Sequence, residues 1–418
     1  MMPWSRRGGS GAGQKVRGFA SAARRKALAL GVALGSVGCG DGAGGGSSPQ
    51  AAGSGPLYLI ATNFSAGDNE VTYLVTSPSF DETTRIDSTS GPELLGGVVP
   101  TVWKGAVFAP DSTAPVITRF DIGAGDRLER GAELSLSGVG MTQLISWHIY
   151  IVSDTKGYVF DPAGLRLIVW NPSEMVLTGE QVPLPMLQRS GWVPNLVFEH
   201  SGAVRRDSTL LVPLGWQDQD FNSLYTSGVL ALNVDTDEVV SVAEDARCGE
   251  TYAAVPAPGG ELYFMPPDWS AVPHFFADMH QPTCVSRIPA GQTSFDGADV
   301  IDVSALGGGL ASAGAVPDAG GFFFASLDPA LWDGRNEAEA VWRVWYHDWA
   351  SGASRQVESL PLWAGQIYYV DVGGERFIPY WQVGSAGTQT TLYRVLDGAD
   401  PAPVFSFEGN WYGASRLR

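Results

Sequence analysis

Short apolar runs that alternate between two faces recur along the whole chain, and they are the main structural signal in the sequence. Residues 115–122 show the pattern, because a strand here places Ile117 on one face and Thr118 on the other. The segment contains a four-residue motif, in which an aliphatic residue is followed by any residue, an arginine and an apolar residue. It recurs around four arginines: Arg119, Arg287, Arg343 and Arg394. Looser copies without arginine lie at residues 71–74, 167–170 and 229–232. Seven related strands at intervals of roughly 45–60 residues predict a repeat architecture.

Each repeat contains the same series of elements: an apolar strand, a loop of variable length, the signature strand, a tight turn and another strand. In the third repeat, for example, residues 149–152 are predicted to pair with residues 166–170. A further candidate strand lies between repeats, often opened by glycine and an aromatic residue, at residues 191–192, 249–252, 363–369 and 409–412. Four strands per repeat are typical of a propeller blade. The sequence therefore predicts an all-β fold, a seven-bladed β-propeller over residues 57–418.

The two ends of the repeat region complement each other. The last candidate strand, residues 409–417, has no repeat after it, and the first repeat has no such strand before Leu57. We therefore predict that the C-terminal strand closes the first blade, because closure leaves only short, protected sheet edges. Removal of the residues after about 405 is then expected to destabilise the whole ring.

Composition agrees with a β-rich fold and limits the partners. The 418 residues include 53 glycines and 27 prolines, and no amphipathic helix longer than two or three turns is evident. The net charge is −18, and residues 1–38 carry seven positive and no acidic residues, so the remainder carries −18 − 7 = −25. This charge argues against nucleic acid as a partner, since phosphate binding needs a concentrated positive surface.

The N-terminus has the pattern of an export signal. Basic residues at 24–26 precede an apolar run at 27–34 and small residues at 35–38, so residues 1–38 are predicted to be a signal peptide. Cys39 follows directly and resembles the lipidated cysteine of bacterial lipoproteins, although Ser36 stands where that family prefers leucine. Cleavage beside an incidental cysteine is the alternative. Residues 39–56, rich in glycine and serine, fit a tether. We expect an exported, membrane-anchored lipoprotein of the cell envelope, at the outer membrane or the cell surface.

Two further cysteines, Cys248 and Cys284, are expected to form a disulfide, because an exported protein with two cysteines most often pairs them. Two free buried thiols are the alternative. The repeated arginines are expected to lie along neighbouring blades and to pair with acidic residues, with direct ligand contact as the alternative.

Three long loops with aromatic residues, at 215–221, 266–280 and 331–335, are predicted to lie side by side on one face of the ring. They either contact a ligand or pack on one another as a small separate core. His274, Asp278 and His280 have a spacing that fits no standard zinc pattern, so no metal site is assigned. No nucleophile or phosphate-binding motif is present, and neither catalytic residues nor a cofactor are assigned.

Residues 248–252 and 256–264, together with the arginine-bearing strands, resemble the MxcI-like β-propeller lipoproteins found beside siderophore systems. The resemblance spans roughly residues 57–418 and brings no catalytic motif. It implies a protein that is not an enzyme, that captures a ferric siderophore, often a catecholate, outside the cell, and that hands it to an outer-membrane transporter.

A ferric catecholate is anionic and aromatic, so cationic and aromatic side chains would suit it. The candidate ligand-binding residues are Lys104, Arg247, Tyr252, Trp269, His274, His280, Arg335 and Trp363. For Lys104, beside Trp103, a solvated position on a blade edge is the alternative. Two other functions stay open: a protein-interaction platform at the cell envelope, which should show a flat aromatic patch, and a propeller enzyme such as a lyase or lactonase, which should show converging polar groups in the channel.

Overall fold

Seven small sheets stand around a central channel in the computed structural model, which describes residues 53–66, 69–198, 202–220, 222–276, 281, 283–297, 300–307, 311–332, 340–384 and 387–418. The fold is a seven-bladed β-propeller, as the repeat pattern predicts. The predicted signal peptide (residues 1–38), Cys39 and most of the tether lie outside the described residues. The described residues contain no helix with the length and hydropathy that a membrane span requires.

The strands are, in chain order, β1 (Tyr58–Ala66), β2 (Asn69–Ser77), β3 (Glu93–Leu95), β4 (Thr101–Trp103), β5 (Ala106–Pro110), β6 (Val116–Ile122), β7 (Leu128–Ser135), β8 (Ile149–Ser153), β9 (Lys156–Asp161), β10 (Arg166–Asn171), β11 (Val176–Pro183), β12 (Val193–Leu196), β13 (Val204–Arg206), β14 (Thr209–Gln217), β15 (Ser227–Asn233), β16 (Glu238–Asp245), β17 (Ala253–Pro256), β18 (Leu262–Met265), β19 (Cys284–Ile288), β20 (Val300–Asp302), β21 (Ser312–Pro317), β22 (Gly321–Leu327), β23 (Ala340–Asp348), β24 (Ser354–Gln356), β25 (Trp363–Ala364), β26 (Val370–Val372), β27 (Glu375–Gly384), β28 (Gly387–Leu396), β29 (Ala399–Glu408) and β30 (Asn410–Arg416). The α-helices are α1 (Asp268–Phe276) and α2 (Val303–Leu306).

Each blade is an antiparallel sheet whose strands follow one another from the channel to the outer edge of the ring. Blade 1 has the order β30-β1-β2-β3, blade 2 is β4 to β7, and blade 3 is β8 to β11. Blade 4 has the order β12-β14-β15-β16 with β13 beside β14, and blade 5 is β17 to β20. Blade 6 is β21 to β24 with β25 beside β23, and blade 7 is β26 to β29.

Hydrophobic packing joins each blade to the next. The middle strands are buried on both faces, as in β10, where Leu167 and Ile168 have no more than 1% exposure although they point in opposite directions. Each of seven core clusters among the described residues contains side chains from two consecutive blades, and one of these clusters joins blade 7 to blade 1. The ring is therefore closed by side-chain packing as well as by the backbone.

The chain ends meet in blade 1, as predicted. The inner strand β30 pairs with β1 in a ladder from Tyr58 opposite Arg416 to Asn63 opposite Asn410. Trp411 is buried in the core between blades 7 and 1. The C-terminal strand thus completes the blade that the N-terminal strand begins.

Several predicted strand assignments are wrong. The inner strands of blades 4 and 5 begin at Val193 and Ala253, directly after the candidate strands at residues 191–192 and 249–252. In blade 3, residues 149–152 do not pair with residues 166–170, because β9 lies between them after a two-residue turn at Asp154 and Thr155. Residues 363–369 do not form an inner strand either. They run as β25 beside β23 and then along the inner strand of blade 6, and the inner strand of blade 7 starts only at Val370.

The disulfide prediction is confirmed, and the repeat arginines do pair with acidic residues. Cys248 and Cys284 are bonded, with 5.2 Å between their Cα atoms. The carboxylate partner of each arginine belongs to the same blade, whereas Arg119 also donates to the carbonyl oxygen of Ser173 in the neighbouring blade 3. The pairs are Arg119–Asp121 (2.7 Å), Arg287–Asp296 (3.5 Å), Arg343–Asp328 (2.6 Å) and Arg394–Glu375 (3.3 Å).

The connections between strands sort onto two faces, because neighbouring strands of a blade are antiparallel. One face carries the turns between the first and second and between the third and fourth strands of each blade. Gly53 and Arg418 both bind Asp126 there, so we call it the terminal face. The opposite face carries the remaining connections, including α1, and we call it the loop face.

Candidate ligand site in the central channel

A cavity of about 430 Å³ lies in the central channel and extends toward the terminal face. The inner strands of blades 1, 2, 3 and 7 supply most of its walls. Trp103 is the last residue of β4, Phe198 follows the end of β12, and Arg376 lies just after the turn between β26 and β27. All three residues therefore lie toward the terminal face. This volume lies within the range of small-molecule pockets, about 300–1,000 Å³.

Aromatic rings form much of the cavity wall: Trp103, Tyr150, Phe198 and Tyr369. The rings of Tyr150 and Phe198 are in contact, with their centroids 5.7 Å apart. Burial raises the pKa of Tyr150, so this phenol is a neutral hydrogen-bonding group at ordinary pH. The cavity wall therefore offers aromatic rings and a neutral hydroxyl group to an aromatic or apolar ligand.

Arg376 supplies a cation to this cavity. Its guanidinium donates one hydrogen bond to the carbonyl oxygen of Pro317 (3.1 Å) and lies 5.9 Å from the ring centre of Tyr369. Asp371 is its cross-strand neighbour and also lines the cavity, but its carboxylate accepts the backbone N–H of Gly374. Among the described residues, no carboxylate forms an ion pair with Arg376. Its remaining donors are therefore available to an anion.

Small residues on the blade 1 wall leave this space open. Gly413, Ala414 and Ser415 of β30 face the cavity where the other blades present aromatic rings. The backbone at Gly413 has a φ of +148°, a conformation that other residues rarely adopt. The cavity thus depends on the inner strand that closes the ring.

Lys104 lies at the rim of the cavity, in the turn after Trp103. Its ammonium group is 2.8 Å from Asp154, and Trp103 Nε1 donates to the other oxygen of the same carboxylate. The hydrogen bond from Lys104 is the main cause that lowers the pKa of Asp154. Because both side chains of this ion pair are more than half exposed, the pair is weak. Lys104 is thus near the cavity but already has a partner.

Tyr252, Trp269 and His274 lie on the loop-face side and do not line this cavity. The rings of Tyr252 and Trp269 are 5.1 Å apart, and the ring of His274 is 5.0 Å from Tyr225. Burial lowers the pKa of His274, which keeps the imidazole neutral. These aromatic residues therefore contact one another.

The three aromatic loops do share one face. Ala271 and Val272 of α1 join the core between blades 6 and 7, and Trp332 packs against it. Trp216, from the loop predicted at 215–221, lies in β14 and in the core between blades 3 and 4. These parts of the loops therefore pack against the cores of the blades and do not form the separate core that was the alternative.

Two other candidates have structural roles. Trp363 is 1% exposed, packs 4.6 Å from Tyr380 between blades 6 and 7, and lines no described cavity. Arg247 binds the carboxylate of Asp245 and the carbonyl oxygens of Asp296 and Gly297. His280 and Arg335 fall outside the described residues, as does Asp278. In the part of the chain that the structure covers, no three His, Cys, Asp or Glu side chains are placed to hold a metal ion.

A buried polar network that the sequence did not reveal joins blades 3, 4 and 5. The carboxylate of Glu250 is 1% exposed and accepts hydrogen bonds from Ser223 Oγ (2.6 Å) and Gln217 Nε2 (3.5 Å). Burial raises its pKa. A side chain at Gly215 would collide with this carboxylate, since its Cβ would lie 2.1 Å from Glu250 Oε1. No motif marks Glu250, and only the spatial approach of the three blades makes it distinctive.

Residues 365–369 run beside the inner strand of blade 6 and lead to Tyr369 in the cavity wall. Gly314, with a φ of +67°, permits their close approach to blade 6, since a Cβ there would lie 1.9 Å from the carbonyl oxygen of Ile367. The ring of Tyr368 is 5.7 Å from that of Trp381 in blade 7, and Tyr368 also interacts electrostatically with Tyr252 and Tyr412 of blades 5 and 1. Tyr368 therefore lies close to blades 1, 5 and 7, and it packs against the core between blades 7 and 1.

Comparison with known proteins gives the fold only. The periplasmic gluconolactonase PpgL of Pseudomonas aeruginosa aligns with a TM-score of 0.50 and 11% identity, over 87% of this chain and 99% of that one. A protein from Lactobacillus plantarum aligns with a TM-score of 0.48 and 11% identity, again over 87% and 99%. AztD of Citrobacter koseri gives 0.41 and 10%, over 86% and 97%. No family model and no curated protein matches this sequence. At such low identity, the likeness establishes a β-propeller and not an activity.

Proposed function

We propose that this propeller binds a small, anionic, aromatic ligand in the central cavity, and that it acts as a binding protein and not as an enzyme. The observation that carries the proposal is the position of Arg376, a cation without a carboxylate partner among the described residues, in a cavity walled by aromatic rings. A guanidinium forms strong charge-assisted hydrogen bonds with anionic oxygens, and ring faces stack on an aromatic ligand.

Within this class, the ligand we propose is a ferric catecholate siderophore. The resemblance of the sequence to siderophore-associated propeller lipoproteins suggests it, and the aromatic and arginine-lined cavity is compatible with its charge and shape. The protein would be a lipoprotein anchored through Cys39 that delivers this ligand to an outer-membrane transporter. The cavity extends toward the terminal face, which also carries Gly53, so the proposed tether would leave from that same face.

The test is a titration of the mature protein with a ferric catecholate, followed by tryptophan fluorescence. Trp103 lines the cavity, so we expect ligand at micromolar concentration to quench its emission. Arg376→Gln removes the charge-assisted hydrogen bonds, about 1.5–3 kcal/mol, and should weaken binding by roughly 10- to 100-fold.

Arg355→Gln is the matched control, because Arg355 pairs with Asp400 at an exposed position away from the cavity. It should bind as the unaltered protein does. The proposal would be contradicted if micromolar ligand did not quench the fluorescence, or if the ligand quenched Arg376→Gln and the unaltered protein equally at the same concentrations.

A further inference from the structure

A second cavity, of about 380 Å³, lies on the same face between blades 7 and 1. Tyr58, Phe80, Arg394 and Arg416 are among the residues that line it. It is separated from the central cavity by the turn between β26 and β27. Asp371 and Arg376 face the central cavity, whereas the turn residues between them face the second one. The two cavities are therefore neighbours that share one wall.

Arg394 differs from the equivalent repeat arginines of blades 2 and 6. Arg119 and Arg343 donate aligned hydrogen bonds to aspartates, at 2.7–2.9 Å and 2.6 Å. Arg394 Nε lies 3.3 Å from Glu375 but makes no hydrogen bond with any described residue, although this nitrogen is buried. Arg119 and Arg343 thus form hydrogen bonds with their carboxylate partners, whereas the buried Nε of the equivalent Arg394, beside the second cavity, lacks a hydrogen bond to any described residue.

The surroundings of Arg394 are those of an anion site with an apolar wall. Its guanidinium lies 5.6 Å from the ring centre of Phe377, which supports it from one side. Phe80 packs at 4.9 Å from Phe377 and at 5.5 Å from Tyr58, so aromatic rings extend from the arginine into the cavity wall. An aromatic acid could place its carboxylate on Arg394 and its ring against Tyr58 and Phe80.

The acidic residues nearby do not prevent such binding. Glu375 is 55% exposed, and an exposed ion pair of this kind is weak, so an incoming carboxylate can displace the side chain of Glu375 into solvent. Asp81 also lines the cavity, where hydrogen bonds from the hydroxyl and backbone of Thr83 and, to a smaller extent, the charge of Arg394 lower its pKa. Its interaction with Arg394 is thus the minor one, and its carboxylate is fixed mainly by Thr83. Arg416 adds a second positive charge at the edge of the cavity.

We propose that this second cavity is a further binding site for an anionic aromatic group, next to the central site and on the same face. The assignment of ligand class rests on the proposed function of the central cavity, but the residues involved are different. A molecule too large for one cavity could place one aromatic acid group in each, and the shared turn, with Gly373 and Gly374 at positive φ, would lie between them.

The experiment measures binding stoichiometry by equilibrium dialysis with benzoate and with 2,3-dihydroxybenzoate, which are small enough for either cavity. The unaltered protein should bind two molecules. Arg394→Gln should bind one, Arg376→Gln should bind one, and the double variant none. Arg119→Gln is the matched control, since it removes the equivalent repeat arginine in blade 2 and should retain two sites. Thermal unfolding of every variant verifies the fold.

The outcomes separate the two proposals. Loss of one site in Arg394→Gln alone supports the second site. A single site that disappears in Arg376→Gln and persists in Arg394→Gln overturns the second site and leaves the central one. A single site with the opposite behaviour keeps the second site and overturns the central one. No binding of either probe to the unaltered protein overturns both.

Discussion

Two buried ionisable side chains show how the environment of single residues depends on the ring. His148 is 2% exposed, and its Nε2 lies 3.1 Å from Asn195 Oδ1, which also accepts a hydrogen bond from Trp147. Burial lowers its pKa from 6.5 to about 4. Glu250 is as deeply buried, and burial raises its pKa. In both cases, loss of water disfavours the charged form.

The lowered pKa of His148 predicts an acid-sensitive fold. In the folded protein the imidazole stays neutral down to about pH 4, whereas in the unfolded chain it takes up a proton near pH 6.5. The unfolded state therefore binds more protons between these values, so the free energy of unfolding should fall as the pH drops through this window. The loss attributable to His148 should reach about 3 kcal/mol, and it should be complete below pH 4.

His148→Gln keeps a donor for Asn195 and removes the titration. Urea unfolding of both proteins from about pH 4 to about pH 7.5 measures the effect. As the pH falls below 6.5, the unfolding free energy of the unaltered protein should decrease more than that of His148→Gln. A difference that stays constant with pH would show that His148 does not titrate in this way.

At the scale of elements, the connection from blade 4 to blade 5 positions several paired or buried side chains. It carries Arg247, Cys248, Glu250 and Tyr252 within a few residues. The disulfide attaches this connection to β19, and Tyr225 OH donates to the carbonyl oxygen of Arg247 at 2.7 Å. The loop-face network of blades 3 to 5 thus depends on one short, crosslinked segment.

The disulfide should stabilise the propeller measurably. It closes a loop with a sequence separation of 36, for which the chain-entropy model gives about 3–4 kcal/mol. Replacing both Cys248 and Cys284 with serine should therefore lower the unfolding free energy by about that amount, measured by urea unfolding. A reductant should destabilise the unaltered protein and leave the double variant unchanged. Equal stability of the two proteins without reductant would contradict a structural role for the bond.

At the scale of the whole molecule, stability depends on the contact between the two ends of the chain. β1 has β2 on one side and β30 on the other, and β30 also contributes Trp411 and Ala414 to the core between blades 7 and 1. Without β30, the edge of β1 would be unpaired and one wall of the central cavity would be missing.

A chain that ends at Glu408 should therefore lose its fixed tertiary structure or aggregate. Near-ultraviolet circular dichroism and size-exclusion chromatography measure this outcome. A chain that begins at Gly53 and retains β30 is the control, and it should stay folded and monodisperse. A monomeric, cooperatively unfolding protein after removal of β30 would show that closure is not needed for the fold.

The kind of fold, the number of blades and the way the ring closes could all be predicted from the sequence. Alternating apolar runs report strands directly, because side chains in a strand alternate between two faces. The spacing of the repeat-signature strands indicated the blade period, and the unmatched strand before Arg418 indicated the closure. The pairing of Cys248 with Cys284 also followed from sequence, because only two cysteines remain after Cys39 and the predicted export favours their oxidation.

The residues that line the central cavity could not be read from the sequence. Tyr252 and Trp269 looked like ligand residues but lie on the loop-face side, whereas Arg376 and Tyr150 resemble ordinary strand residues in sequence and face the cavity. The sequence did not indicate the buried position of Glu250 either. The physical cause is that the channel is built from the inner strands of different blades, far apart in the chain. Which side chains meet there depends on blade geometry and on the path of residues 363–369, and no local pattern encodes either.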